Sequence, residues 1–158
     1  MPAETPKAGD PFPTAAVAAA QAEKLPGKKA GDTVSVADFK GKVVVVFFYP
    51  KANTPGCTAE SCGFRDIAGK FPKDTVVIGA SGDAEEAQAK FIADHKLPFA
   101  LLADTQKKLI DPLGIGKATP RRVTYVVGKD GNIAKVFDKV TSPAGHPAEV
   151  LAFVESLK

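Results

Sequence analysis

The chain has 158 residues, 44% of them hydrophobic and 25% charged. That is enough for one domain with a sizeable core, and no staple of disulfides or metal is needed to hold it. With 21 basic and 18 acidic residues the net charge is only +3, and no basic run carries interleaved aromatics, so a nucleic-acid surface is not expected. No apolar stretch approaches the roughly 18 residues that span a bilayer, which excludes a membrane helix.

Taken in order, Met1-Pro2-Ala3-Glu4 has an early acid and no basic lead. Ala15 to Ala20 is small and only weakly apolar, so the start does not fit a secretory leader. If Met1 is the native start, the expected compartment is the cytoplasm; a mature chain freed of a leader would carry the same pattern. One domain over 1–158 is expected, with 1–8 as a loose arm. Residues 1 to 41 read as an N-terminal arm with at most one short hairpin, and Thr33 to Val36 alternates like a short strand.

Val43 to Tyr49 is a continuous β-branched and aromatic run, the pattern of a central strand buried on both faces, and it stops at Pro50. A polar loop, 51–56, leads into a helix from Cys57 to about Lys70. Thr54 is placed as N-cap, Pro55 as the first helical residue, and Glu60 favourably in the first turns. Thr75 to Ala80 is a second buried strand. Ser81 or Asp83 is expected to cap a helix from Ala84 to His95 whose Ala87, Phe91 and Ile92 lie near one face. Phe99 to Leu102 is a third strand, and Asp104 opens a short helix to about Ile110. Val123 to Val127 is a fourth strand, Lys129 to Asn132 a hairpin turn into Ile133 to Phe137, and a last helix spans Pro147 to Leu157. Alternating strands and helices, then a hairpin and a helix, predict an α/β fold with a mixed central sheet flanked by helices on both faces.

Only two cysteines are present, Cys57 and Cys62, and only two histidines, His95 and His146, none at zinc-ligand spacing. No metal is expected. Cys57 falls in the first turn of a helix that follows a buried strand. Unpaired N–H groups and the helix dipole there stabilise a thiolate, the form of cysteine that attacks. The alternative is a small buried hydrophobe that happens to start a helix. On an intact helix, residues five apart have Cα atoms about 8–9 Å apart and point about 140° away from each other, beyond the roughly 7 Å a disulfide allows. The spacing suits a redox cycle in which the helix reacts and then locally unwinds. Two static readings remain beside it: two free thiols on a helix, or a bridge in a segment that is never helical. It is not the Cys-x-x-Cys of disulfide oxidoreductases.

The segment from Phe48 to Asp66 resembles the active-site segment of peroxiredoxins. Pro50, Thr54 and Cys57 meet its Pro-x-x-x-Thr-x-x-Cys core, and Cys62 five residues on is similar to the peroxiredoxin Q, or bacterioferritin comigratory protein, subgroup. Gly79 to Asp83 with Phe91, Phe99 to Asp104, and Pro120 to Val127 resemble later segments of that family, and His146 and the closing helix also fit. The likeness weakens before residue 40. It implies a thioredoxin-like fold and reduction of hydrogen peroxide and organic hydroperoxides without a cofactor. Cys57 would be the peroxidatic thiol, oxidised to a sulfenic acid, and Cys62 the resolving thiol. Thioredoxin or a similar dithiol would recycle the disulfide. The family's second arginine falls on Arg122 when Thr124 is the anchor, with Arg121 as its neighbouring candidate.

The chemistry then assigns roles. Thr54 would donate its hydroxyl to the thiolate or the peroxide. The Gly56 and Cys57 N–H groups would bind the peroxide oxygens. Arg122 would stabilise the thiolate and the leaving oxygen, and Pro50 would shield the sulfur from water. Glu60 would orient an arginine, or else simply complement the helix dipole. With the resolving thiol in the same chain, a monomer suffices. Two other readings compete: a thiol–disulfide oxidoreductase on the same fold, and a redox-sensing or chaperone-like binding protein whose cysteines switch its shape.

Overall fold

The computed structural model describes residues 6–52, 54–116, 120–138, 142 and 145–157. Of the expected loose arm, residues 1–5 lie outside the described residues, as does Asn53 of the loop before Cys57.

Among the described residues, seven strands form one mixed sheet in the order β2-β1-β5-β4-β3-β6-β7. They are β1 (Val17–Ala20), β2 (Thr33–Val34), β3 (Val43–Phe48), β4 (Thr75–Ser81), β5 (Leu101–Ala103), β6 (Val123–Val127) and β7 (Ile133–Phe137). β3, β4 and β5 run parallel; β1, β6 and β7 join antiparallel. All six residues of β3 are buried, as its unbroken apolar run requires of a strand covered on both sides. Its side chains alternate between two cores. Val44, Val46 and Phe48 pack with Ile78, Tyr125 and Ile110, and Val45 and Phe47 pack with Phe64, Phe91 and Val150 on the other face.

The helices are α1 (Pro55–Ile67), α2 (Glu85–His95), α3 (Ile110–Leu113) and α4 (His146–Ser156). The two faces are unequally covered. Phe64 of α1, Phe91 of α2 and Val150 of α4 all belong to one core. The other face is closed by α3, by a 3-10 turn at Val36–Phe39 and by Phe12. Right-handed β3–α1–β4 and β4–α2–β5 crossovers that step the same way across the sheet put both helices on one side.

Four expectations change. The alanine-rich stretch read as weakly apolar contains β1, which pairs with β5 through Ala19 and Ala20. Alanine has little strand preference, so long-range pairing makes this strand and local sequence does not announce it. The strand at Thr33 ends at Val34, because Ser35 turns to cap the 3-10 turn in a reciprocal box with Asp38. Asp104 does not open a helix to Ile110. It is fully buried, and its carboxylate accepts the N–H groups of Lys108, Leu109 and Ile110 at 2.8–2.9 Å, so the helix begins at Ile110. On α2, neither Ser81 nor Asp83 caps the helix, and Gln88 is buried with Phe91 and Ile92.

Candidate active site

The site is built at the C-terminal end of β3. The chain leaves the sheet through the fully buried Tyr49 and half-buried Pro50 and enters α1 at Pro55. Proline at the first helical position gives up an N–H that would have had no acceptor. The first helical bond runs from the Thr58 N–H to the Thr54 carbonyl at 2.8 Å. The Gly56 and Cys57 N–H groups precede it and have no acceptor within the helix. Cys57 therefore sits at the positive end of the helix dipole. It is 1% exposed.

β6 lies antiparallel to β3, with Val123 opposite Phe48. That register brings Arg122, one residue before β6, level with the strand end from which α1 departs. Arg122 Nη2 donates to Cys57 Sγ at 3.5 Å, and Nη1 donates to Glu60 Oε1 at 2.9 Å. Of the arginine pair, Arg122 reaches the sulfur and Arg121 is exposed. Glu60 stands three residues after Cys57 and so lies on the same face of α1. Its side chain is fully buried. Burial pushes its carboxyl up to about 7, against the pull of Arg122. Glu60 thus pairs with an arginine, and its placement goes beyond the helix-dipole role.

Behind Glu60 stands His146, the first residue of α4, buried at 2% exposure. His146 Nε2 is 2.7 Å from Thr124 Oγ1 and 3.9 Å from Glu60 Oε2. Burial, with Arg122 nearby, lowers its imidazole to about 4, so it is neutral at neutral pH. The line Cys57, Arg122, Glu60, His146, Thr124 joins α1, β6 and α4. Sequence reasoning used Thr124 only as an anchor and gave His146 no role. The available signal was Thr124, a hydroxyl set inside the apolar run Val123 to Val127 and two residues after Arg122.

Thr54 occupies the N-cap with extended backbone, but its side chain makes no cap. The hydroxyl donates instead to the Lys51 carbonyl at 2.7 Å. With its proton on that carbonyl, the hydroxyl has its lone pairs left to accept. Cys62 is half-buried, and neither cysteine is in a disulfide. Both lie in the unbroken α1, where five-residue spacing keeps the sulfurs apart. A cavity of about 620 Å³, lined by Val43, Asp74, Thr75, Lys129 and Val154, opens at the other end of β3 and shares no residue with this cluster.

A thiol at a helix N-terminus, bonded by an arginine and set on a sheet of this order, defines a thiol-dependent peroxidase with a thioredoxin-like fold. The AhpC/TSA family model matches residues 8–136. A chloroplastic peroxiredoxin Q of Sedum lineare is 42% identical over 133 residues, covering 81% of this chain and 72% of the relative. The peroxiredoxin Bcp of Bacillus subtilis is 39% identical over 137 residues, covering 80% and 87%. Among solved structures, the peroxidoxin BcpB of Mycobacterium tuberculosis superposes with a TM-score of 0.84 at 29% identity, over 97% of this chain and 99% of that one. The peroxiredoxin Q of Xylella fastidiosa gives 0.85 at 22% identity, over 97% and 98%, a likeness of fold. The chain belongs to the AhpC/TSA family. Within that family its similarity is to the peroxiredoxin Q and Bcp proteins. Among the described residues no helix is long and apolar enough to cross a membrane.

Proposed function

We propose that Cys57 reduces hydroperoxides and that Cys62 resolves the oxidised sulfur. The observation that carries this reading is the Arg122 fork, one nitrogen on Cys57 Sγ and the other on Glu60 Oε1. A guanidinium held on one side by a buried carboxyl presents fixed positive charge to the sulfur and to whatever oxygen leaves from it.

In the first step the Cys57 thiolate attacks the nearer peroxide oxygen. The S–O bond forms, the O–O bond breaks, and the leaving alkoxide or hydroxide takes a proton from solvent. Sulfur is oxidised by two electrons to the sulfenic acid and the peroxide is reduced to an alcohol or water. The Gly56 and Cys57 N–H groups and Arg122 stabilise charge on the oxygens, Thr54 accepts the peroxide O–H, and Pro50 limits water at the sulfur. In the second step the first turns of α1 unwind, the Cys62 thiolate attacks the Cys57 sulfur, and hydroxide leaves as water with formation of the disulfide. A dithiol such as thioredoxin then takes up the disulfide by exchange. Electrons pass only between sulfur and oxygen, so the cycle calls on no metal, flavin or haem. With both thiols on one helix, a monomer of one domain over 1–158 completes the cycle, and the cytoplasm supplies the reductant.

Rapid mixing of reduced protein with one equivalent of hydrogen peroxide tests this. Fast loss of both thiols with a two-hydrogen loss of intact mass and no dimer is the expected result. Thiols that persist for minutes under excess peroxide overturn it and favour disulfide exchange.

A further inference from the structure

The loop between β3 and α1 carries Thr54, and what holds it lies on other elements. Asp83, between β4 and α2, accepts the Ala52 N–H at Oδ2 at 2.7 Å. The same oxygen accepts the Ser81 hydroxyl at 2.8 Å. Ser81 Oγ accepts the Asp83 N–H at 3.1 Å and the Gln88 amide at 2.7 Å. Gln88 also donates to the Leu102 carbonyl at 2.9 Å and receives the Tyr49 hydroxyl. Ser81, Gln88 and Tyr49 are fully buried. A buried network with its members satisfied fixes each in one orientation. Asp83 is therefore tied directly to β4, and through Ser81 and Gln88 to α2, to β5 and to Tyr49 just past β3, although it does not cap α2.

What Asp83 holds is one peptide group. The Lys51–Ala52 amide donates its N–H to Asp83 at 2.7 Å, and its C=O accepts the Thr54 hydroxyl at 2.7 Å. In a planar trans amide these two groups point in opposite directions, so fixing one fixes the other. A carboxylate on the N–H also polarises the amide and strengthens its carbonyl as an acceptor. A hydroxyl has one proton and two lone pairs. With the proton drawn to Lys51, the lone pairs face outward for a peroxide O–H. If the amide turned over, the hydroxyl would lose its acceptor and could turn its proton to the sulfur instead.

We propose that Asp83 is a positioning residue for peroxide reduction, fixing the Lys51–Ala52 peptide so that the Thr54 hydroxyl meets the peroxide as an acceptor. The proposal rests on the roles given above to Cys57 and Thr54.

The test is the second-order rate of Cys57 oxidation by hydrogen peroxide, followed by stopped flow in the full chain. Asp83→Ala slows oxidation about ten-fold, the equivalent of one hydrogen bond lost from the transition state, and leaves the later disulfide-forming step unchanged. In a Thr54→Val background the same Asp83→Ala change costs nothing further, because its effect passes through the missing hydroxyl. Asp83→Asn, whose amide oxygen can accept the same bonds at roughly half strength, recovers the rate to within about three-fold. Should Asp83→Ala fail to fold, Asp83→Ser takes its place; it keeps a polar partner for Ser81 but is too short to reach Ala52. An equal loss in both backgrounds, an Asp83→Asn rate no better than Asp83→Ala, or a wild-type rate without the carboxylate overturns the proposal. Peroxide consumption by Cys57→Ser instead removes the reading of Cys57, and a wild-type rate in Thr54→Val removes the reading of Thr54 together with this proposal.

Discussion

Glu60 Oε2 and His146 Nε2 face each other 3.9 Å apart in the interface between α1 and α4, both side chains almost wholly buried. Their burial drives them to the same neutral state from opposite directions. Glu60 is raised to about 7 from 4.5, and His146 is lowered to about 4 from 6.5. Among the described residues, Arg122 and Cys57 are the other ionisable groups bonded into this cluster, and Arg122 stays charged throughout.

Between pH 4.5 and about 7 the native chain holds a proton on Glu60 that the unfolded chain has lost, so this group's contribution to stability falls as pH rises. Between about 4 and 6.5 the unfolded chain holds a proton on His146 that the native chain lacks, so that contribution rises. The two oppose each other from pH 4.5 to 6.5. Relative to wild type, Glu60→Gln gains stability with rising pH across that window, and His146→Gln loses it. Urea midpoints at several pH values measure both, and slopes of the same sign in the two variants would contradict the pairing.

Arg122→Lys should slow Cys57 oxidation about hundred-fold, in the range typical of removing one charge-stabilising donor. An ammonium is a point charge and cannot reproduce a planar fork that bonds sulfur and carboxylate at once. It also leaves Glu60 Oε1 less well satisfied inside the protein, so stability falls too. Stopped-flow oxidation and urea melts separate the two effects. A rate within about three-fold of wild type would show that a point charge at the sulfur suffices and that the fork joining it to Glu60 does not matter.

Much of this was legible because the relevant patterns are local. β3 announces itself through seven consecutive apolar residues, and the head of α1 through Thr54, Pro55 and the cysteine after them. Arg122 could be singled out only through the spacing to Thr124 that the family resemblance supplies. β1 was hidden because pairing across the sheet, and not alanine preference, makes it a strand. Asp104 and Asp83 were misread for a related reason. Each acid precedes a helix and looks like a cap, yet one turns inward to gather three N–H groups leading into α3 and the other reaches across to Ala52. Which N–H an acid satisfies depends on which loop folds over it.

Cys62→Ser should react with the first equivalent of peroxide at the wild-type rate and then stop. Without a resolving thiol the sulfenic acid persists, and further peroxide carries it to the sulfinic acid. Intact mass would show a one-oxygen gain, then a second, and thioredoxin would support little turnover. Sustained turnover by this variant would remove Cys62 from the cycle.

Gly79→Ala tests the packing beneath the site. Gly79 lies in β4 opposite Phe47 of β3 and Leu101 of β5. A Cβ added there would meet Leu101 Cδ2 at 2.5 Å and Phe47 Cζ at 2.8 Å. Both neighbours are fully buried, and Phe47 is itself stacked on Phe64 of α1 with ring centroids 4.5 Å apart. The Phe47 ring cannot withdraw without disturbing the helix that carries Cys57. Overpacking of this kind costs about 1–3 kcal/mol, read as a lower urea midpoint with the m-value unchanged. If Phe47 yields toward α1, oxidation of Cys57 also slows; if Leu101 and its strand β5 yield instead, stability alone falls. A midpoint equal to wild type would mean that the sheet spreads at β4 to admit the methyl, which the parallel pairing on both sides of this strand opposes.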